Sequence, residues 1–331
     1  MSHSPDPSTD KSIVVLIPTY NDWEALELVV GALDRHVSLL NWQVSILIVD
    51  DGSDRTDLPE SLSSPRQSIA KLDVLTLRHN LGHQRAIAIG LAWLEANMPC
   101  TAVVIMDGDG EDAPSDVPRL IAQFEETGAT KMIFASRHRR SEGLTFQTFY
   151  HLYRLIHRVL TGLPVRIGNF SLLPWPLLRK LVVLSDLWSH YGAAALKSRL
   201  PMTTIPTRRA TRLGGRPTMN FTDLVMHGLS AMSVLGDRIS VRLLAAASSL
   251  LLVSLIILAG FVGSGILETI ESQKATITTI MLSIFFAAQL VLVATLLALG
   301  ALGRRNVATF LPLRDYGYFV DRHITLWQRN Q

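Results

Sequence analysis

The sequence predicts an α/β domain built on a mostly parallel sheet with helices on both faces, followed by an amphipathic interfacial helix and a two-helix transmembrane hairpin. Three observations predict it. Short β-branched runs alternate with helical stretches from Ser12 to Ala135, the pattern of a sheet covered on both faces. Phe221 to Leu235 places Leu224, Val225, Leu229, Met232 and Leu235 at helical spacing, with Asp223 and His227 among the polar positions. Leu243 to Leu267 and Ala275 to Gly303 then carry no charged residue at all, and about 20 apolar residues suffice for one crossing.

Within the first part, strands are expected at Ile13 to Ile17, Val44 to Val49, Leu72 to Leu77, Ala102 to Met106 and Lys131 to Ala135. Helices are expected near Trp23 to His36, Gln84 to Ala96 and Asp116 to Glu126. The organisation that follows is a disordered N-terminus over 1–11, a catalytic-type domain over 12–218, a juxtamembrane segment over 219–241, the hairpin over 242–303 and a tail over 304–331. Arg238 and Arg242 precede the first span and Arg304, Arg305 and Arg314 follow the second, while Glu268, Glu271 and Lys274 lie between the spans. By the positive-inside rule both flanks are expected in the cytoplasm.

Composition agrees with a soluble part joined to a membrane part: 331 residues, 48% hydrophobic, with a mean hydropathy of +0.27. The net charge of +3 comes without a like-charge block or a basic-aromatic motif, which argues against nucleic acid and for anionic lipid headgroups or phosphates as partners. Cys100, the single cysteine, excludes an intrachain disulfide and a cysteine-based zinc site, and points to a reducing compartment. The apolar run Ile13 to Pro18 is too short for a signal-peptide core.

In open α/β sheets ligands sit beyond the carboxyl ends of the strands, so the polar residues there are the candidates for chemistry. Three strand ends carry them: Pro18-Thr19-Tyr20-Asn21-Asp22, Asp50-Asp51-Gly52-Ser53, and Asp107-Gly108-Asp109-Gly110-Glu111-Asp112. Asp107, Asp109 and Glu111 supply the hard oxygen ligands that Mg²⁺ or Mn²⁺ takes, usually one or two carboxylates plus substrate phosphates. An EF-hand loop does not fit, because its sixth position is Asp112 and its twelfth Pro118. Asp50 and Asp51 can accept hydrogen bonds from a base or a ribose, or cap the next helix. Neither a dinucleotide Gly-x-Gly-x-x-Gly nor a P-loop is present, so a cation is expected to carry much of the phosphate recognition.

The motifs IPTYND (17–22), VDDGSDRT (49–56), RHNLGHQRAIAIGL (78–91), MDGDGEDAP (106–114), ASR (135–137), IGNFSLL (167–173) and TRLGGRPTM (211–219) together resemble the inverting family 2 glycosyltransferases of GT-A, Rossmann-like fold. Within that family they are most similar to the polyisoprenyl-phosphate glycosyltransferases related to dolichol-phosphate mannose synthase. The resemblance implies a nucleotide-sugar donor and an undecaprenyl or dolichyl phosphate acceptor. It also implies a Mg²⁺ or Mn²⁺ cofactor on Asp107, Asp109 and Glu111, with Asp107, Asp109 and Arg137 at the reacting groups. Pro18, Thr19, Tyr20 and Asp50 or Asp51 would hold the nucleoside, and Asn80, Gly82, Arg85 and Asp107 would complete the donor site. Arg209, Arg212 and Arg216 are the expected anion site for the acceptor phosphate. His79 and His83 stand four apart, a zinc-like spacing on a helix, but their place inside RHNLGHQRAIAIGL argues against a metal there. Homo-oligomerisation stays open.

The chain departs from the family at two points. Asn169-Phe170-Ser171 stands where many relatives have Asp-Phe-Arg or Ser-Phe-Arg, and Gly215-Arg216-Pro217-Thr218 where they have Gly-x-Ser-Lys. A hydroxyl acceptor needs a base, whereas a phosphate monoester with a second pKa of about 6 is already ionised. Asn169 is therefore compatible with a phosphate acceptor. Transfer to a lipid hydroxyl and a non-catalytic protein with a degenerate transferase domain are the remaining alternatives.

Overall fold

The computed structural model describes residues 11–54, 58–137, 155, 157–162, 167–214, 221–264, 270–305 and 310–329. The expected disordered stretch over 1–10 lies outside them, as do Arg216 and its neighbours in 215–220. Two compact units divide the chain: one draws on Met1–Gln147, Arg166–Val234 and Thr309–Gln331, the other on Thr148–Val165 and Leu235–Ala308.

The first unit is an eight-stranded sheet. Its strands are β1 (Ser12–Thr19), β2 (Gln43–Asp50), β3 (Ile69–Leu77), β4 (Ala102–Ile105), β5 (Met132–Arg137), β6 (Ser171–Pro174), β7 (Met202–Thr207) and β8 (Val320–Gln328), in the spatial order β7-β5-β6-β4-β1-β2-β3-β8. The centre, β4-β1-β2-β3, is parallel throughout. Antiparallel β6 separates β4 from β5, so the sheet is mixed, and β8 closes the other edge antiparallel to β3.

Hydrophobic runs without alternation make the central strands, because both faces are covered. Ile13, Val15 and Ile17 of β1 face α1 (Trp23–Val37) and α3 (Val117–Glu126). Val14 and Leu16 face α2 (His83–Asn97), α4 (Trp175–Leu181) and α5 (Tyr191–Ser198). That period of two is the strand's own. All central strands run the same way, so the acidic ends of β1, β2 and β4 emerge at one edge of the sheet.

Residues 310–329, expected as a tail, belong to this unit. Trp327 enters the core and its indole N–H donates to the Leu62 carbonyl at 3.0 Å. On the neighbouring register pair, Thr325 Oγ1 donates to the fully buried Asp73 at 2.6 Å, and Lys71 Nζ lies 2.7 Å from the same carboxylate. The segment expected to lie in the membrane interface forms helix α6 (Phe221–Val234), on which Met226 and Leu229 are exposed.

The second unit contains α7 (Gly236–Ser264) and α8 (Ile270–Arg305), whose Gly236–Gly260 and Thr276–Gly300 stretches are long and apolar enough to cross a membrane. Only 11% and 17% of their most apolar windows are buried, so they are not core helices. What is buried is a seam: Ala247 and Ser254 on α7, and Ile280, Ala287 and Ala294 on α8, each seven residues apart. Small residues at that spacing let two helix backbones pack closely. The hydroxyls of Ser249, Ser254, Thr278, Ser283 and Thr295 donate to carbonyls one turn earlier, which removes the cost of placing them in hydrocarbon.

Candidate active site

After β1 the chain turns through Asn21, whose φ of 54° is left-handed, a conformation asparagine tolerates better than most residues. Its backbone N–H donates to Ser53 Oγ at 2.8 Å, and its side chain exchanges hydrogen bonds with Asp54 at 3.0 and 3.1 Å. Tyr20 OH donates to the same Asp54 carboxylate at 3.3 Å. The loops after β1 and β2 are thereby laced into one wall that carries Pro18, Thr19, Tyr20 and Asp50. Asp50 itself accepts from the Ser53 N–H at 3.0 Å. Gly52 (φ 68°) is required here, because a Cβ would lie 2.5 Å from the His79 backbone.

Asp51 is buried and faces away from that wall. Its two oxygens accept the Leu81 and Gly82 N–H groups, each at 2.8 Å, pinning the loop that contains Asn80 and leads into α2. Burial pushes its carboxyl above the usual range, against the opposing pull of those two N–H bonds. Arg85, one turn into α2, sits over the Trp188 ring at 5.0 Å.

The turn after β4 is organised by its own carboxylates. Asp112, buried, accepts the Asp107 N–H at 3.0 Å, and Asp109 accepts the Glu111 N–H at 2.9 Å. The segment 208–214 then closes over this turn. Ala210 N–H donates to the Glu111 carbonyl and Leu213 N–H to the Asp109 carbonyl, both at 3.0 Å, and Leu213 packs where any Cβ on Gly110 would intrude. Two arginines come with it: Arg209 Nε donates to Glu111 at 2.8 Å, and Arg212 lies 3.1 Å from Asp109 with one nitrogen while pairing with Asp22 through another. Burial, together with the charges of Asp107 and Glu111, drives the Asp109 carboxyl upward despite Arg212.

On the other side of the turn stands His83, the first residue of α2. Its Nε2 lies 3.1 Å from Asp107 Oδ1 and 2.9 Å from Asn169 Nδ2. Burial opposes its charged form, but Asp107, Asp112 and Asp51 outweigh it and raise its pKa above the ordinary value.

The expected residues thus fall into three groups: Pro18 to Tyr20 with Asp50, Asp107, Asp109 and Glu111 with Arg209 and Arg212, and Asp51 with the loop and helix start that carry Asn80, Gly82 and Arg85. Arg137 ends β5, its side chain lying outside the description. Among the described residues no three acidic, histidine or cysteine side chains converge closely enough to hold an ion by themselves. Asp22, His83, Gln84 and the 52–54 loop were not among the expected site residues. Asp22 was visible as the last residue of IPTYND, but its link to Arg212 spans the length of the domain.

A family profile, Glycosyl transferase family 2, matches residues 14–181, just over half of the chain, from within β1 to the end of α4. The chain belongs to glycosyl transferase family 2. Among relatives of this family 2 member, the undecaprenyl-phosphate 4-deoxy-4-formamido-L-arabinose transferase of Yersinia enterocolitica is 23% identical over 152 residues, 46% of this chain and 45% of that one. Its counterpart in Salmonella choleraesuis is 23% identical over 157 residues, 47% and 46% of the two chains. The matched stretch is therefore about half the length of those relatives. Among solved structures, glucosyl-3-phosphoglycerate synthase from Mycobacterium tuberculosis superposes with a TM-score of 0.49 at 17% identity, covering 69% of this chain and 80% of that one.

Proposed function

We propose that this chain transfers a sugar from a nucleotide-sugar to a polyisoprenyl phosphate, undecaprenyl or dolichyl, with inversion at the anomeric carbon and with a divalent cation, at the cytoplasmic face of a membrane. The observation that carries the reading is the turn after β4, where Asp109 and Glu111 pair with Arg212 and Arg209, Asp107 with His83, and Arg212 also reaches Asp22 in the loop that follows Tyr20. Relatives named for transfer to undecaprenyl phosphate, and two apolar helices long enough to span a bilayer, support the acceptor and the location.

The donor set fits Mg²⁺ or Mn²⁺ in one specific way. Its oxygens are hard ligands, and these ions are usually held by one or two carboxylates together with substrate phosphates. Asp107 and Asp109 would hold the ion with Glu111 beside them; when bound, it neutralises charge building on the departing diphosphate. Arg209 and Arg212 are placed to turn from the carboxylates to phosphate oxygens, adding charge-assisted hydrogen bonds where negative charge develops.

In the reaction an acceptor phosphate oxygen forms a bond to the anomeric carbon. The bond from that carbon to the diphosphate oxygen breaks, and its electron pair leaves with the nucleoside diphosphate. An ionised phosphate gives up no proton in this step. Asp109→Ala in purified protein, supplied with polyprenyl phosphate and a panel of labelled nucleotide-sugars, should abolish lipid-linked product while leaving the protein folded and inserted. Transfer at the unmodified rate would refute the role of the carboxylates.

A further inference from the structure

Asp22 stands at the N-cap of α1, where an aspartate ordinarily accepts an N–H of the first turn. Here its side chain makes no such bond. The carboxylate is given instead to a terminal nitrogen of Arg212, 190 positions along the chain. The other terminal nitrogen of that guanidinium lies 3.1 Å from Asp109, and Nε donates to the Gly214 carbonyl at 2.6 Å. All three nitrogens are engaged, and the side chains of Arg212, Asp22 and Asp109 are each only about one-fifth exposed. The backbone on either side of Arg212 is fixed as well. Ala210 and Leu213 donate to the turn after β4, and Gly214 lies so close to α1 that a Cβ there would stand 3.3 Å from the Ala25 Cα.

Two carboxylates thus share one guanidinium. Asp109 cannot give the same oxygen to Arg212 and to a divalent cation. When Asp109 lets go, Nε keeps its bond to Gly214 and Asp22 alone balances the arginine's charge. Without Asp22, the guanidinium would have only Asp109 as a carboxylate partner among the described residues, and would contest it harder. We propose that Asp22 is a positioning residue that acts through Arg212. It retains and neutralises the guanidinium beside the turn after β4, so that Asp109 is released to a divalent cation while the arginine stays within reach of the diphosphate. The inference rests on the transferase reading above.

The test is a double-mutant cycle on the full chain in lipid nanodiscs, with MnCl₂ titrated calorimetrically into the nucleotide-free protein. Asparagine caps a helix as well as aspartate does, so Asp22→Asn removes the charge and keeps the start of α1. It should weaken Mn²⁺ binding by about tenfold, the scale of a partly exposed ion pair turned onto a competitor. In an Arg212→Met background the same change should alter Mn²⁺ affinity by less than about twofold. A tenfold loss that persists in that background overturns the inference, because Asp22 would then act on the cation directly. Unweakened Mn²⁺ binding by Asp22→Asn alone overturns it too. Should Asp22→Asn not fold, Asp22→Ser, another neutral cap, goes through the same cycle with the same two outcomes. At saturating Mn²⁺, nucleotide-sugar and polyprenyl phosphate, Asp22→Asn should lower kcat by about tenfold or more and leave KM for polyprenyl phosphate within about twofold. An unchanged kcat there refutes the retention of the arginine at the diphosphate. No lipid product from the unmodified protein, with the Mn²⁺ cycle as expected, removes the transferase reading and the diphosphate role with it, while Asp22 still governs Arg212 at Asp109.

Discussion

One nitrogen of Arg212 holds Asp109 at 3.1 Å and another holds Asp22, so a divalent cation arriving at Asp109 must displace a guanidinium. At that separation and an effective dielectric of about 20, the attraction to Asp109 is about 5 kcal/mol. The groups are only about one-fifth exposed, so desolvation and the ordering of a long side chain return most of it, leaving roughly 1–2 kcal/mol. Arg212→Met keeps the volume and removes the competitor. Mn²⁺ should then bind the nucleotide-free protein about 5–30-fold more tightly, as titrated calorimetrically or by the loss of the free-ion EPR signal. Sugar transfer should nonetheless fall, because in the proposed reaction the same guanidinium receives phosphate oxygens. Tighter metal with slower transfer is an unusual pairing for a mutation beside a metal site. Weaker or unchanged Mn²⁺ affinity in a folded Arg212→Met protein would show that arginine and cation do not share the carboxylate.

Asp51→Asn leaves one of the two N–H groups of Leu81 and Gly82 facing an amide NH₂ in a buried place, which should cost about 2 kcal/mol and lower the melting temperature by roughly 4–8 °C in differential scanning fluorimetry. Thr325→Val removes the hydroxyl that supports fully buried Asp73 and should destabilise the β3–β8 edge by about 2 kcal/mol, seen as faster amide exchange in β8 than in β1. Burial pushes the Cys100 thiol up to about 12, so at pH 8 it should react with maleimide only after unfolding. The sign for stability follows: the unfolded thiol ionises near 9 and the folded one does not, so stability present below pH 9 is lost at up to about 1.4 kcal/mol per pH unit between 9 and 12. Cys100→Ser should flatten that slope in urea titrations.

How far the fold was legible depends on how local its signals are. The runs Ile13–Ile17, Val44–Val49 and Ala102–Met106 announce buried parallel strands because every residue but Ser45 is apolar, and the observed strands extend them by a residue or two or, at β4, stop one short. Ser171–Pro174 is four residues long and runs into Trp175-Pro176, which reads as a turn; only its pairing with Ala102–Ile105 makes it a strand. β7 carries Pro206, and β8 lies beyond two apolar helices, where a strand of the first sheet is not sought. The acidic strand ends were legible for the same local reason, as carboxylates adjoining apolar runs. Arg209 and Arg212 were legible as an anion site but not as partners of Glu111 and Asp109, because those contacts close about a hundred residues of chain. His83, Gln84 and Asn169 were legible as members of the motifs over 78–91 and 167–173, but their contacts with one another and with Tyr191 were not, because each closes about a hundred residues of chain.

The pairing of β8 with β3 also decides how the chain is threaded. β3 precedes both apolar helices and β8 follows them, yet the two strands share a ladder from Lys71 with Gln328 to Leu77 with Val320. A chain that leaves a sheet and returns to it must cross any bilayer an even number of times, so α7 and α8 either both span or neither does. Removing α8 alone should therefore strand residues 310–329 across the membrane from their partner, leaving Asp73 buried without Thr325 and β3 as an open edge. Such a protein should lose nucleotide binding and aggregate, although the residues of the site are untouched. In the intact protein, cysteines placed at Ser53 and at Asp321 of a Cys100→Ser background should both react with a membrane-impermeant maleimide from the same side of sealed vesicles. Labelling from opposite sides would mean that the two strands cannot be neighbours, and the sheet edge described here would have to be redrawn.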